Sequence, residues 1–115
     1  MLIEKFEDSI AWQKARELAK IIYDLFKDSK DYGFKDQICR CSVSIMNNIA
    51  EGFEHRGDKE LKQFMFIAKG SCGELRSMLY LAKDLKYITE NQYNDFNTLS
   101  LEISKLLSGF IKSLS

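Results

Sequence analysis

Between Leu61 and Ala82 the apolar residues fall at Leu61, Met65, Ala68, Cys72, Leu75, Leu79 and Ala82, in alternating steps of four and three. That spacing keeps one stripe of a helix facing its neighbours over many turns, so it predicts a long helix packed lengthwise on other helices. The chain contains no proline in 115 residues. Nothing therefore removes a helix donor or drives a ring into the preceding turn. Long, uninterrupted helices are the expectation.

Three further segments carry the same kind of periodicity. Ala11, Ala15, Leu18, Ile22 and Leu25, widened by Ile21 and Phe26, predict a helix over 8–28, capped by Asp8 or Ser9. Ile38, Cys41 or Ser42, Ile45, Ile49 and Phe53 predict a second over 34–55. The opening seam predicts a third over 59–86. Phe96, Leu99, Ile103, Leu106 and Phe110 predict a fourth over 90–114, started by a Thr89-x-x-Gln92 capping box. In the joint at 55–58, Gly57 reads as a left-handed helix stop and Asp58 as the next cap. Joints this short force antiparallel neighbours. The expected fold is all-α, an antiparallel up-down-up-down four-helix bundle in one domain spanning 1–115.

Composition narrows the function classes. Lys+Arg and Asp+Glu are balanced at 17 each, so no overall attraction to nucleic acid or to an anionic membrane is expected. The N-terminus, Met1 to Asp8, carries acids early and does not read as a secretion signal, and no apolar run is long enough to span a bilayer. Cys39, Cys41 and Cys72 sit inside helical patterns and are odd in number. They suit a reducing, cytoplasmic setting rather than a disulfide framework.

Catalytic constellations are missing from the pattern. Glu51 and Glu54 are three apart with no His or Ser partner at matching spacing, which leaves them a surface carboxylate and a hydrogen bonder. His55 is the single histidine and lies in a joint; with Cys39 and Cys41 on different faces, no four-ligand zinc set assembles. A di-iron bundle needs Glu-x-x-His on two helices, and the sequence has none. No catalytic residue, metal or cofactor is assigned.

Two other patterns bear on function. Helix two carries a polar row, Gln37, Arg40, Ser44, Asn48 and Glu51, beside its apolar stripe. Gly70, Ser71 and Gly73 interrupt helix three, where each glycine costs about 1 kcal/mol relative to alanine, which suggests close backbone approach. Folding the two helices about their joint sets Arg40 opposite the Ser71 to Glu74 turn and predicts a partly buried Arg40–Glu74 pair near Ser44, Asn48 and Ser71. Lys62, Lys69, Arg76 and Lys83 form a cationic row at intervals of seven. It is either a flank bridged to acids on a neighbouring helix or a basic track of about 30 Å usable against a phosphate backbone. Phe64, Phe66, Ile67, Met78, Tyr80, Leu81 and Leu85 lie off the seam of helix three. They predict either a wide buried face or contact with another subunit.

Trp12-Gln13-Lys14-Ala15 with Leu18, Gln37-Ile38-x-Arg40, Ser44-Ile45, Asn48-Ile49-Ala50-Glu51-Gly52 and Ile67-Ala68-x-Gly70-Ser71-x-x-Glu74-Leu75 resemble the small bacterial four-helix-bundle proteins first noticed as reading frames in intervening sequences of 23S rRNA genes. The resemblance covers almost the whole chain; Cys41 and Ser42 depart from it and lower the positive charge expected on helix two. The family is similar to the accessory variability determinant of diversity-generating retroelements, a pentameric barrel that binds nucleic acid and a reverse transcriptase. The resemblance implies a homo-oligomer, a cyclic pentamer, with no established enzymatic activity. It also implies a structural role, in helix packing or subunit contacts, for Arg40, Asn48, Glu51, Gly70, Ser71 and Glu74. The expectation is a non-enzymatic oligomeric scaffold with RNA or DNA bound through Lys62, Lys69, Arg76 and Lys83. The alternative is a protein–protein adaptor without nucleic-acid contact. No membrane partner is expected.

Overall fold

The computed structural model describes residues 5–55 and 57–114. Residues 1–4, on which part of the N-terminal reading rests, and Arg56 in the second joint lie outside the described residues. After a short 3-10 turn at Phe6–Asp8 come four helices: α1 (Ile10–Phe26), α2 (Tyr32–Glu54), α3 (Asp58–Asp84) and α4 (Glu90–Ser113). Each packs on the next in the chain, and α1 closes the square against α4. The result is an antiparallel four-helix bundle with principal extents of 43 × 22 × 19 Å, and no strand occurs among the described residues.

The helix ends follow local chemistry. Ser9, not Asp8, caps α1, its Oγ accepting from the Trp12 N–H at 3.3 Å. The 3-10 turn delays the start of α1, and Phe6 packs edge-on to Trp12 with ring centroids 4.9 Å apart. Asp31 caps α2 through the Phe34 N–H at 3.3 Å. The Thr89–Gln92 capping box forms in both directions, at 2.9 and 3.0 Å.

Two ends differ from expectation. Gly57 is not a left-handed stop: its φ is −97°, and it stands as the residue before α3, while Asp58 begins the helix without a side-chain cap. The left-handed position falls instead on Lys86, with φ 61°. There Tyr87 N–H reaches Ala82 C=O at 2.8 Å and Lys86 N–H reaches Lys83 C=O at 3.0 Å, a Schellman closure that satisfies two orphan carbonyls. A non-glycine residue costs about 1–2 kcal/mol in that conformation, which the two hydrogen bonds offset.

The core is filled by the expected stripes of α1, α2 and α3. Leu18, Ile22, Ile38, Ile45, Ile49, Met65, Leu75 and Leu79 are fully buried. On α2 both Cys41 and Ser42 turn inward, so the stripe is wider than a single seam. Helix α4 departs from the expected seam. Its buried residues are Tyr93, Ser100, Ile103, Ser104, Leu107 and Ile111, whereas Leu106 is 36% exposed against 1% for Leu107. The cause is that two serines occupy core positions; Ser100 Oγ donates to the Cys72 carbonyl at 3.3 Å. A small hydroxyl satisfied as that of Ser100 is costs little to bury, yet core serines are invisible to a search for apolar periodicity.

Candidate functional site

The polar row of α2 meets α3 around Ser71. Ser44 Oγ and Ser71 Oγ lie 2.9 Å apart, and Asn48 Nδ2 donates to Ser44 C=O at 2.8 Å and to Ser44 Oγ at 3.0 Å. The Cys41 thiol donates to the Ser71 carbonyl at 3.2 Å. These bonds join Ser44, Asn48 and Ser71 into one half-buried polar node that fixes the register of α2 on α3.

The expected Arg40–Glu74 pair does not form among the described residues. Both side chains are exposed, and no ion pair joins them. The Glu74 carboxylate lies instead by the Cys41 thiol. Arg40 sits on the solvent side of α2, where water competes with any partner and little is gained by pairing. Glu51 is exposed as well and lies 3.8 Å from His55 one turn on, so Glu51 and Glu54 do not converge on a site. The sequence suggests close backbone approach at Gly70 and Gly73 without saying on which face. They do not serve the α2–α3 contact: a Cβ on Gly70 would meet nothing within 4 Å, and one on Gly73 only Arg76 Nη2 at 3.8 Å.

The three cysteines are buried, free thiols. Burial, with the Glu74 carboxylate beside it, pushes the Cys41 thiol up to about 12, and burial pushes Cys72 up to about 11. Thiols this reluctant to ionise supply little thiolate, the nucleophilic form. Because the folded protein holds the protonated form, this contribution to stability is complete below the ordinary value of 9.0 and is lost as pH rises toward 11–12. The denaturant midpoint is expected to fall between pH 8 and pH 10.5, and to fall less in Cys41→Ala. A midpoint equally pH-dependent in the variant and the parent would contradict this.

The cationic row runs along the edge of α3 that faces α4. Lys62, Lys69, Arg76 and Lys83 are all half-buried. Lys83 is engaged: its Nζ lies 4.5 Å from the Tyr93 ring centroid, 5.3 Å from that of Tyr80, and 3.9 Å from Glu90. Arg76 has Nη1 buried without a hydrogen-bond partner, and Asn97 Oδ1 on α4 is in the same condition. The Ser100–Cys72 bond and the Tyr80–Tyr93 ring contact bracket these two side chains at one level of the α3–α4 groove. Lys62 and Lys69 form no ion pair among the described residues.

A cleft of about 390 Å³ opens at one end of the bundle, lined by Ile10, Phe53, Met65, Leu106, Leu107 and Phe110, with Ser9 and Lys105 supplying polar groups. It holds no converging acids. Among the described residues, no three His, Cys, Asp or Glu side chains are grouped to hold a metal ion. No helix among them is long and apolar enough to cross a membrane.

Comparison with known proteins fits this geometry. The family model described as 23S rRNA-intervening sequence protein matches residues 7–109. The chain belongs to that family. A crystal structure of a protein of unknown function from the S23 ribosomal protein family of Bacteroides thetaiotaomicron is similar throughout. It is 31% identical, with a TM-score of 0.84 over 90% of this chain and 99% of the other. No curated protein matches the sequence. The 23S rRNA-intervening sequence family is thus represented here by a bundle whose distinctive polar residues gather on α2 and α3. Of the residues singled out from the sequence, Ser44, Asn48 and Ser71 come together, while Arg40, Glu51, Gly70 and Glu74 face outward. Sequence reasoning missed Asn97 and the serines of α4, since an isolated polar residue in a helix gives no periodic signal.

Proposed function

We propose that this protein is a non-enzymatic homo-oligomeric scaffold that contacts nucleic acid through the basic edge of α3. One observation supports the reading above others: α3 carries cations without ionic partners beside an exposed apolar face, while no described cluster offers a general base or a metal-ligand set. Lys62, Lys69 and Arg76 make no ion pair among the described residues, and repetition in an oligomer multiplies a weak patch. The buried free thiols suit a reducing compartment.

Fluorescence anisotropy with RNA and DNA at two salt concentrations tests the nucleic-acid half. Binding is expected to weaken with salt, and Lys62→Ala with Lys69→Ala should reduce the slope of log K against log salt by about 1–2. Unchanged slope in the double variant, or no salt-sensitive binding at micromolar protein, would leave the adaptor reading. That reading is favoured by the balance of 17 cations and 17 anions. Its partner would be a protein that covers apolar surface.

A further inference from the structure

The cleft between the start of α1 and the last turns of α4 is not filled by the bundle's own side chains. Its volume of about 390 Å³ falls within the range of small-molecule sites, about 300–1,000 Å³, and such sites occur between the helices of bundles. Met65 and Leu107, each 1% exposed, give it an apolar floor. The Phe53–Phe110 ring pair, with centroids 5.6 Å apart, walls one end. Ile10 on α1 and Leu106 on α4 flank the mouth and are 57% and 36% exposed. Gly109 adds no side chain to the α4 rim, and a Cβ there would meet nothing within 4 Å.

Two polar side chains line this apolar slot, Ser9 and Lys105. Ser9 is 7% exposed. Its Oγ accepts from the Trp12 N–H, while its own proton meets no acceptor among the described residues. A buried donor without an acceptor is costly, so the slot favours an oxygen beside it. Lys105 makes no ion pair among the described residues, and the acid one turn before it, Glu102, is held by Lys14 at 2.8 Å. A lysine stem lies on apolar surface while it carries the ammonium to the edge. Beyond Phe53 a second depression carries Glu7 and Glu54 beside Lys5. Those acids disfavour an anion at the Phe53 end and leave it the neighbourhood of Lys105, about 7.5 Å along α4 from Phe110.

We propose that this cleft binds a free medium-chain carboxylic acid in its ionised form. The head group is received by the Lys105 ammonium and the Ser9 hydroxyl, and the tail lies along Leu106 toward Phe53 and Phe110. The polar inventory selects the occupant. One cation and one hydroxyl at one end of an apolar slot match one carboxylate on an apolar tail. They are too few for a sugar or a nucleotide, whose remaining polar groups would lose their hydrogen bonds to water. The site is complete within a single chain and contains none of the four cations of α3. It therefore goes beyond the scaffold reading and stands independently of it.

The test is isothermal titration calorimetry on the full chain with decanoate, decanol and decyltrimethylammonium, all below the concentrations at which they form micelles. Decanoate is expected to bind saturably, one molecule per chain, and about tenfold more tightly than decanol. Lys105→Gln should remove that tenfold preference and leave decanol binding unchanged. Leu106→Glu puts a like charge and a polar wall at the mouth, on a side chain that water already reaches. It should abolish decanoate binding while circular dichroism shows the helical content retained. Heat that never saturates, or equal affinity for decanoate and the cationic analogue, would overturn the proposal. So would full decanoate binding by the helical Leu106→Glu variant, or a decanoate preference that survives in Lys105→Gln. No binding to the parent at submillimolar decanoate would also overturn it, and would leave the nucleic-acid and adaptor readings untouched.

Discussion

Leu107→Ala is expected to lower the free energy of unfolding by about 3 kcal/mol, and Leu106→Ala by less than about 1. The two residues are adjacent on α4 and chemically identical. Leu107 is 1% exposed inside the bundle and Leu106 is 36% exposed at its edge. Truncating the first removes its transfer free energy and leaves a cavity among Ile103, Met65 and their neighbours. Truncating the second trims a side chain that water already reaches. For a chain of this size the larger loss corresponds to roughly 10 °C in Tm. Chemical denaturation of both variants, at one protein concentration, measures the rotation of α4. A reversed order would mean that the helix presents Leu106 to the core after all.

Gly52→Leu is expected to destabilise the fold by about 3 kcal/mol or more. Gly52 is buried where α2 crosses the start of α3. A Cβ there would come within 2.8 Å of Met65 Cε, 3.0 Å of Leu61 Cδ1 and 3.1 Å of Phe64 Cβ. Met65 and Leu61 could swing their ends aside, but Phe64 Cβ is fixed to the α3 backbone. A bulky side chain would therefore push the two helices apart. Gly52→Ala sets a gain in helix propensity of about 1 kcal/mol against a smaller clash, so its cost should be well below that of leucine. Equal unfolding midpoints for the leucine variant and the parent would show that the crossing is looser than the geometry requires.

The architecture was legible because α1, α2 and α3 bury stripes that are almost purely apolar, and periodicity detects those directly. The capping box at Thr89 and Gln92 was legible for a different reason: its two side chains satisfy their own helix end, with no tertiary partner needed. Legibility ended where the chain departs from such local or repetitive signals. The face of α4 was displaced because Ser100 and Ser104 stand in the core. The turn after α3 is closed on Lys86 rather than on a glycine, so no residue type marks it. The polar node was partly visible: spacing placed Ser44, Asn48 and Ser71 together but could not tell that Arg40 points to water. The energetic cost of Gly70 and Gly73 was legible in the sequence, but what they serve was not, because spacing alone does not show which face of a helix is covered.

Every packing contact in the square except α1 on α4 joins elements consecutive in the chain. Such a topology has low contact order, and bundles of this class reach the native state in microseconds to milliseconds. Collisions between chains at micromolar concentration are slower than that at ordinary association rates of about 10⁵–10⁷ M⁻¹s⁻¹. Each chain therefore completes its own bundle before it meets another. Any higher-order particle must be built by docking preformed rods, and its rate of appearance should scale with protein concentration while the gain of helix does not.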